Sequence, residues 1–387
     1  MSDVKKYYDL ATLAEASYIL FDKLNNVYSD EKVRLALQNT DVNHGSFSAT
    51  QAADFVDHWQ VISHQKNTPE SGFSATLFRN KDTNEYIYAC RGTEGAFSDD
   101  LWSADYGDIV TDGLAIKQIV DMYNDWIRLH TANKGVYQAA YLERQEAESD
   151  NLRGLSGQAL IDYLEELRSR SDIVIDEPGG VVYRIQFADS TTVFNDERAQ
   201  GLGKLTGSES LSVTGHSLGG HLAAAFTRLF PGLGAEAITI NGAGFATGLT
   251  PGLSGNAQLN IANLFGILEG NEDFDASKIQ NLYGSAGPEF VTMDNYLGLV
   301  QQGAHDEVFI ERWGPSQTFG HGKGQMTDSL AVFDLFSQVD ASLTLSTITS
   351  LLEISANKAD HTLESAVSAL GKLFVTGFNP RGWRSAA

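Results

Sequence analysis

Leu211-Ser212-Val213-Thr214-Gly215-His216-Ser217-Leu218-Gly219-Gly220 is the stretch on which the reading of this chain turns. Apolar and β-branched residues over 210–214 predict a short buried strand, and the run 217–230, stopped by Pro231-Gly232, predicts a helix. The decapeptide therefore fits G-x-S-x-G at a strand-to-helix turn. Such a turn is tight enough to hold Ser217 in a strained backbone conformation, and glycine at 215 and 219 leaves room for neighbouring chain to pass. Ser217 is then expected to project its hydroxyl above the sheet as a nucleophile. The backbone N–H of Leu218 points into the same space and can stabilise an oxyanion. An accidental glycine-rich turn would not need the strand before it or the helix after it. A second buried strand over 236–241 completes a βαβ unit, so a mostly parallel central sheet with helices on both faces is expected.

Outward from this unit, β-rich runs at 72–79 and 85–91 flank the turn-like 80–84 and predict a hairpin ending at Arg91-Gly92-Thr93. Helical spacing of apolar residues predicts helices over 8–24, 115–129 and 329–339, and a strand is expected over 278–284. The charged, aromatic-poor region 145–171 carries one helical pattern at 156–168, and 181–194 reads as strands broken at 189–191. We therefore expect one domain with an insertion at about 138–206 and a C-terminal helical segment at about 342–376. No repeat at solenoid spacing is present.

Gly215-His216-Ser217-Leu218-Gly219-Gly220, taken with Ala89-Cys90-Arg91-Gly92-Thr93, resembles the class 3 lipase family of α/β-hydrolases. The resemblance covers roughly 8–135 and 205–340, about two-thirds of the chain by the element reading. It implies an α/β-hydrolase fold and a serine carboxylic-ester hydrolase that cleaves acyl esters of lipids through an acyl-enzyme. It also implies that Thr93, in the position of the family's Arg-Gly-Ser/Thr hydroxyl residue, supplies the second oxyanion donor. The plain alternative for Thr93 is a strand-end residue bonding its own turn.

A serine hydroxyl needs a general base, usually histidine, oriented by a carboxylate, and in this fold the chain order is serine, acid, histidine. Beyond the elbow and its helix lie His305, His321 and His361. His361 falls in the closing helical segment and His305 in an acidic loop, whereas His321 sits in the glycine-rich Phe319-Gly320-His321-Gly322-Lys323-Gly324, just before a core helix. His321 is the expected base, the setting the resemblance also implies. The acid should follow the 278–284 strand, where the family has an Asp turn. This sequence departs from that pattern with Ser285-Ala286-Gly287-Pro288-Glu289 and, further on, Asp294. Glu289 is preferred and Asp294 is the alternative; Asp273 and Asp275 precede the strand and fall behind both.

The rest of the composition removes whole classes of function. With 27 Lys and Arg against 50 Asp and Glu, the net charge is −23, which repels nucleic acid and anionic membranes. One cysteine, Cys90, makes neither an internal disulfide nor a thiolate cage. The carboxylates at Asp99-Asp100 and at Asp105 and Asp108 lack EF-hand spacing, so no metal and no cofactor is expected. No signal peptide and no membrane-spanning run is readable, which leads us to expect a soluble protein, cytoplasmic or exported by another route. Its partner is a lipid or other acyl ester, met at a lipid–water interface in the lipase reading. The segments 94–112 and 256–268 are candidate lids or acyl-pocket walls, with ordinary core helices as the alternative. An acyltransferase with the same triad, a short-chain or aryl esterase, and a non-catalytic binding module are the competing functions. The intact elbow speaks against the last.

Overall fold

The computed structural model describes residues 3–42, 44–92, 109, 112–176, 180–246, 256–285, 298–311, 322–355 and 363–374. In chain order the elements begin with helices α1 (Asp3–Ala16), α2 (Asp30–Gln38) and α3 (Ala49–His58). Strands β1 (Trp59–Gln65), β2 (Ala75–Asn80) and β3 (Tyr86–Cys90) follow, then helix α4 (Ile116–His130). Next come β4 (Gln138–Arg144), α5 (Glu146–Gly154), α6 (Gly157–Arg168), β5 (Ile173–Asp176) and β6 (Val181–Asp189). The remainder comprises β7 (Leu211–His216), α7 (Leu218–Leu229), β8 (Glu236–Ile240), β9 (Phe245–Ala246), α8 (Ala257–Ile267), β10 (Ile279–Gly284), β11 (Leu299–Val300), β12 (Ala304–Val308), α9 (Lys323–Val339), α10 (Leu345–Ser355) and α11 (Glu364–Phe374).

Seven of these strands form one sheet in the order β1-β2-β3-β7-β8-β10-β12. β2 runs antiparallel to both its neighbours, and every pair from β3 to β12 is parallel. Parallel strands need both faces covered, and β3 shows how the sequence provides this. Ile87 and Ala89 enter one core with α1, α3 and α9, while Tyr88 and Cys90, on the opposite face, enter a second core with α4, α7 and α8. In the second core Tyr88, Trp126, Phe226 and Phe230 pack ring against ring. A mostly parallel sheet covered on both faces, with a strand–turn–helix at its centre, is an α/β-hydrolase fold.

The region after α4 folds as a three-stranded antiparallel sheet, β4-β6-β5. Ile173, Ile175 and Val182 face Leu167 and the half-buried Leu259 of α8, whereas Ala140, Val174 and Ile185 join the main core. Edge strand β5 is closed by side chains rather than by another strand. Asn260 accepts from Ile175 N (2.8 Å) and donates to Ile175 O (2.8 Å) and Asp112 O (3.0 Å), and Asn263 donates to Ile173 O (2.7 Å).

Several expectations are corrected here. The opening helix runs from Asp3 to Ala16, not 8–24, because the chain turns at Ser17 and Tyr18, and a 3-10 turn occupies Phe21–Leu24. Region 145–171 holds two helices, and 189–191 begins a short helix, Ser190–Val193, rather than a turn. His305 lies in strand β12, not in a loop; its polar, exposed pattern hides a strand made by pairing with β10 alone. The apolar segment 256–268 is a helix docked on β5, so in this structure it packs as core and not as an open wall.

Candidate active site

Strand β7 delivers Ser217 at the C-terminal edge of the sheet with φ 59° and ψ −125°. That region is costly for a residue with a Cβ, about 1–3 kcal/mol, and persists only where surrounding bonds enforce it. Here Ser217 N donates to Ile240 O at 3.1 Å, and Ser217 O accepts from Gly220 N (2.9 Å), Ala243 N (3.1 Å) and His221 N (3.3 Å). The end of β8 and the first turn of α7 thus hold the peptides on either side of the serine. A Cβ at Gly219 would lie 2.2 Å from Cys90 O, and one at Gly215 would lie 2.1 Å from Gly219 O. The spacing of the motif is the spacing at which three backbones touch. Leu218, buried and first in α7, has its N–H where a helix offers no internal acceptor, at the positive end of the helix dipole.

Two histidines flank the serine, and neither is placed as its base. His221 is fully buried, stacked on Phe245 at 3.9 Å between ring centroids. Its Nε2 accepts from Ala115 N (3.3 Å), so Nδ1 carries the proton and donates to Gly244 O (3.0 Å). Burial pushes its pKa down to about 4, against an opposing pull from its backbone partners, so it stays a neutral structural link. His216 shares a hydrogen bond of 2.9 Å between its Nδ1 and the Tyr18 hydroxyl. His305 is level with Asn281, Thr239 and Gly215 across the sheet, three strands from β7. At about 4.8 Å per strand that is roughly 14 Å, beyond hydrogen-bond reach of Ser217.

Thr93, Glu289, Asp294 and His321 lie outside the described residues, as do His361, the carboxylates from Asp99 to Asp108 and most of the 94–112 segment. Of the described residues that border them, Gly92 lies against Ser217, while Lys323 and Gly284 contact Tyr18 and Asn241. Gly92, immediately before Thr93, packs so closely that a Cβ on it would lie 2.3 Å from His216 O and 3.3 Å from Ser217 Cβ. Lys323, two residues after His321, holds its ammonium 3.7 Å from the centroid of the Tyr18 ring. Gly284, the last residue of β10, donates its N–H to Asn241 Oδ1 at 2.9 Å, tying it to the residue that follows β8. Asn241 is itself at φ 46° and donates to Leu282 O (2.8 Å). Asp275, in contrast, caps the turn before β10 at the other end of the strand, bonding Ser277 N and Oγ.

The sequence reading missed Tyr18, Gly92 as a contact of the serine, and Asn241. Among the described residues no group of acidic, histidine or cysteine side chains could hold a metal ion, and no helix is long and apolar enough to cross a membrane.

No protein-family model and no curated protein matches the sequence. Among solved structures the chain is similar to a fungal lipase at 12% identity, with 84% of each chain covered and a TM-score of 0.35. It is similar to Lip2 lipase from Yarrowia lipolytica at 15% identity (80% of this chain, 79% of that one, TM-score 0.33). A lipase from Rhizopus microsporus var. chinensis is similar at 11% identity (85% and 82%, TM-score 0.34). Likeness at this level says nothing of the reaction, and the chemistry has to be read from the elbow.

Proposed function

We propose that the protein is a serine carboxylic-ester hydrolase that cleaves acyl esters of lipids through an acyl-enzyme at Ser217. The observation that carries this reading is the backbone of Ser217, strained at φ 59° between a parallel strand and the N-terminus of a helix. In this mechanism His321 takes the proton from Ser217 Oγ as the oxygen attacks the ester carbonyl. The negative charge on the carbonyl oxygen is met by the N–H of Leu218 and by Thr93. Collapse breaks the ester bond, His321 returns the proton to the leaving alcohol, and water then repeats the sequence on the acyl-serine. Glu289, with Asp294 as the alternative, holds the imidazole tautomer and stabilises the imidazolium.

The position of Gly92 against Ser217 supports the role of Thr93, and the position of Lys323 beside Tyr18 supports that of His321 over His305. The lipid acyl substrate rests on the resemblance of the two motifs to class 3 lipases.

A fluorophosphonate should label Ser217, located by peptide mapping, and Ser217→Ala should lower kcat by about 10⁴ to 10⁶. His321→Ala should lose a comparable amount while His305→Ala stays near wild type. Glu289→Gln should cost far more in kcat/KM than Asp294→Asn, and the reverse result would move the acid to Asp294. Long-chain and short-chain esters, each with and without an added alcohol, identify the acyl preference and acceptor. Labelling absent from Ser217 would end the serine-hydrolase reading.

A further inference from the structure

We propose that Tyr18 is a positioning residue for this reaction, its hydroxyl fixing His216 and the peptide that leads into Ser217 against the Gly92 end of β3. The inference rests on the reading of Ser217 as the nucleophile. It starts from the place where α1 stops. The helix ends at Ala16, and Tyr18, seven residues in sequence beyond Ala11 on the buried face, turns inward and is almost wholly buried at 7% exposure. Its hydroxyl bonds His216 Nδ1 at 2.9 Å, with the two rings edge to face at 5.9 Å.

His216 is the residue before the nucleophile, and it is buried at 6% exposure. A buried imidazole has to satisfy its ring nitrogens, so the partner of Nδ1 fixes which way the ring turns. Tyr18 supplies that partner from an element 198 residues away. The same hydroxyl lies against Gly92, where a Cβ would come within 2.4 Å of it. His216 O and Ser217 Cβ approach that same Cβ position, at 2.3 and 3.3 Å. Tyr18, the elbow and the end of β3 therefore meet at one point. The phenol ring also carries Lys323, in the first turn of α9, over its face at 3.7 Å. A buried tyrosine hydroxyl needs a partner, as that of Tyr88 finds in Asp125 at 2.7 Å; the partner of Tyr18 is the residue before the nucleophile. Tyr18 spans the two chain segments that the mechanism must hold in register.

Tyr18→Phe tests the hydroxyl alone, because it keeps the ring under Lys323 and the packing of α1. We expect the rate of fluorophosphonate labelling at Ser217 and kcat on an ester to fall together by about tenfold, the scale of a small misplacement. KM should stay within about twofold and the melting temperature within about 2 °C, since uniform binding and the core are untouched. His216→Phe should give a similar loss, and the double variant should lose no more than either single change, as groups acting through one bond do. A Tyr18→Phe protein labelled at the wild-type rate would overturn the proposal while leaving the hydrolase reading intact. Additive losses in the double variant, or a fall in melting temperature with kcat unchanged, would overturn it as well. A wild-type chain not labelled at Ser217 removes the hydrolase reading, and that result is seen before any variant is made.

Discussion

Gly219→Ala should separate the elbow from the rest of the fold. A Cβ at this position would lie 2.2 Å from Cys90 O and 2.9 Å from the carbonyl carbons of Cys90 and Arg91. Ordinary carbon–oxygen contact is at about 3.5 Å, so the first turn of α7 and the end of β3 must part by roughly 1 Å. No flexible side chain is available to yield, since every one of those neighbours is backbone. Forced overpacking of this kind costs about 1–3 kcal/mol. At this chain length 1 kcal/mol moves the melting temperature by only about 1 °C, so the protein should still fold. The catalytic cost is larger, because the parting separates Ser217 and Leu218 N–H from the end of β3, and a 1 Å misplacement costs on the order of 10² in rate. Labelling of Ser217 by a fluorophosphonate, measured beside a melting curve, reads both quantities on one sample. Gly266→Ala is the control: it sits inside α8 with no atom within 4 Å of its would-be Cβ, and it should gain up to about 1 kcal/mol with labelling unchanged. A Gly219→Ala protein labelled at the wild-type rate would refute the claim that backbone contact at the elbow sets the geometry of the serine.

Asp125, buried and accepting from the Tyr88 hydroxyl at 2.7 Å, has its pKa pushed up by burial to about 6 from 3.8, with Arg128 pulling the other way. A raised carboxyl favours folding below 3.8 and loses that contribution as pH rises through 6, so Asp125→Asn should gain about 2 kcal/mol relative to wild type between pH 4 and 7; equal differences at both pH values would rule this out. His221 works in the opposite sense, its stabilising contribution present above 6.5 and lost as pH falls through about 4. His221→Gln, which keeps one donor and one acceptor, should therefore narrow the gap between urea midpoints at pH 7.5 and pH 5, and an unchanged gap would count against the assignment. Asn260→Leu removes the amide that bonds Ile175 N, Ile175 O and Asp112 O and should cost about 2 kcal/mol or more, with cleavage between 138 and 206 by a protease rising first. A variant melting with wild type would show that water replaces the side chain.

What could be read in the sequence and what could not divide along the range of the interactions. The elbow was legible because its constraint is local: Gly215, Ser217 and Gly219 fall within five residues, and the glycine contacts are backbone contacts that the motif itself dictates. The hairpin of β2 and β3 was legible for the same reason. Helices α2 and α3 went unassigned, although Ser29 caps one and Ser48 with Gln51 forms a capping box on the other, both visible at sequence level. β12 was not legible: Ala304, His305, Asp306 and Glu307 carry no apolar alternation, and only the parallel pairing with β10 makes them a strand. On α8 the apolar residues drew attention to a pocket, while the informative residues were Asn260 and Asn263, polar groups three apart on an otherwise apolar helix, where a buried amide needs partners.

The same distinction of range governs the acid. Asn241 Oδ1 fixes Gly284, and Ser285 N donates to Val308 O at 2.9 Å, so the chain leaves β10 from a fixed point. It is fixed again at Leu299, which pairs with Ala246 of β9. Glu289 is four residues beyond Ser285, and Asp294 is five residues short of Leu299. β10 is two strands from β7, roughly 10 Å, and from Ser285 the four residues to Glu289 span up to about 13 Å and the nine to Asp294 up to about 30 Å. Either carboxylate is therefore within reach of the space above Ser217, and reach does not separate them. Turn chemistry does. By sequence, Gly287-Pro288 predicts a turn directly before Glu289, whereas Phe290 and Val291 favour extension on the way to Asp294. An extended run from Glu289 would carry Asp294 away from β7 before the chain returned to Leu299, and it is on this argument that Glu289 is preferred.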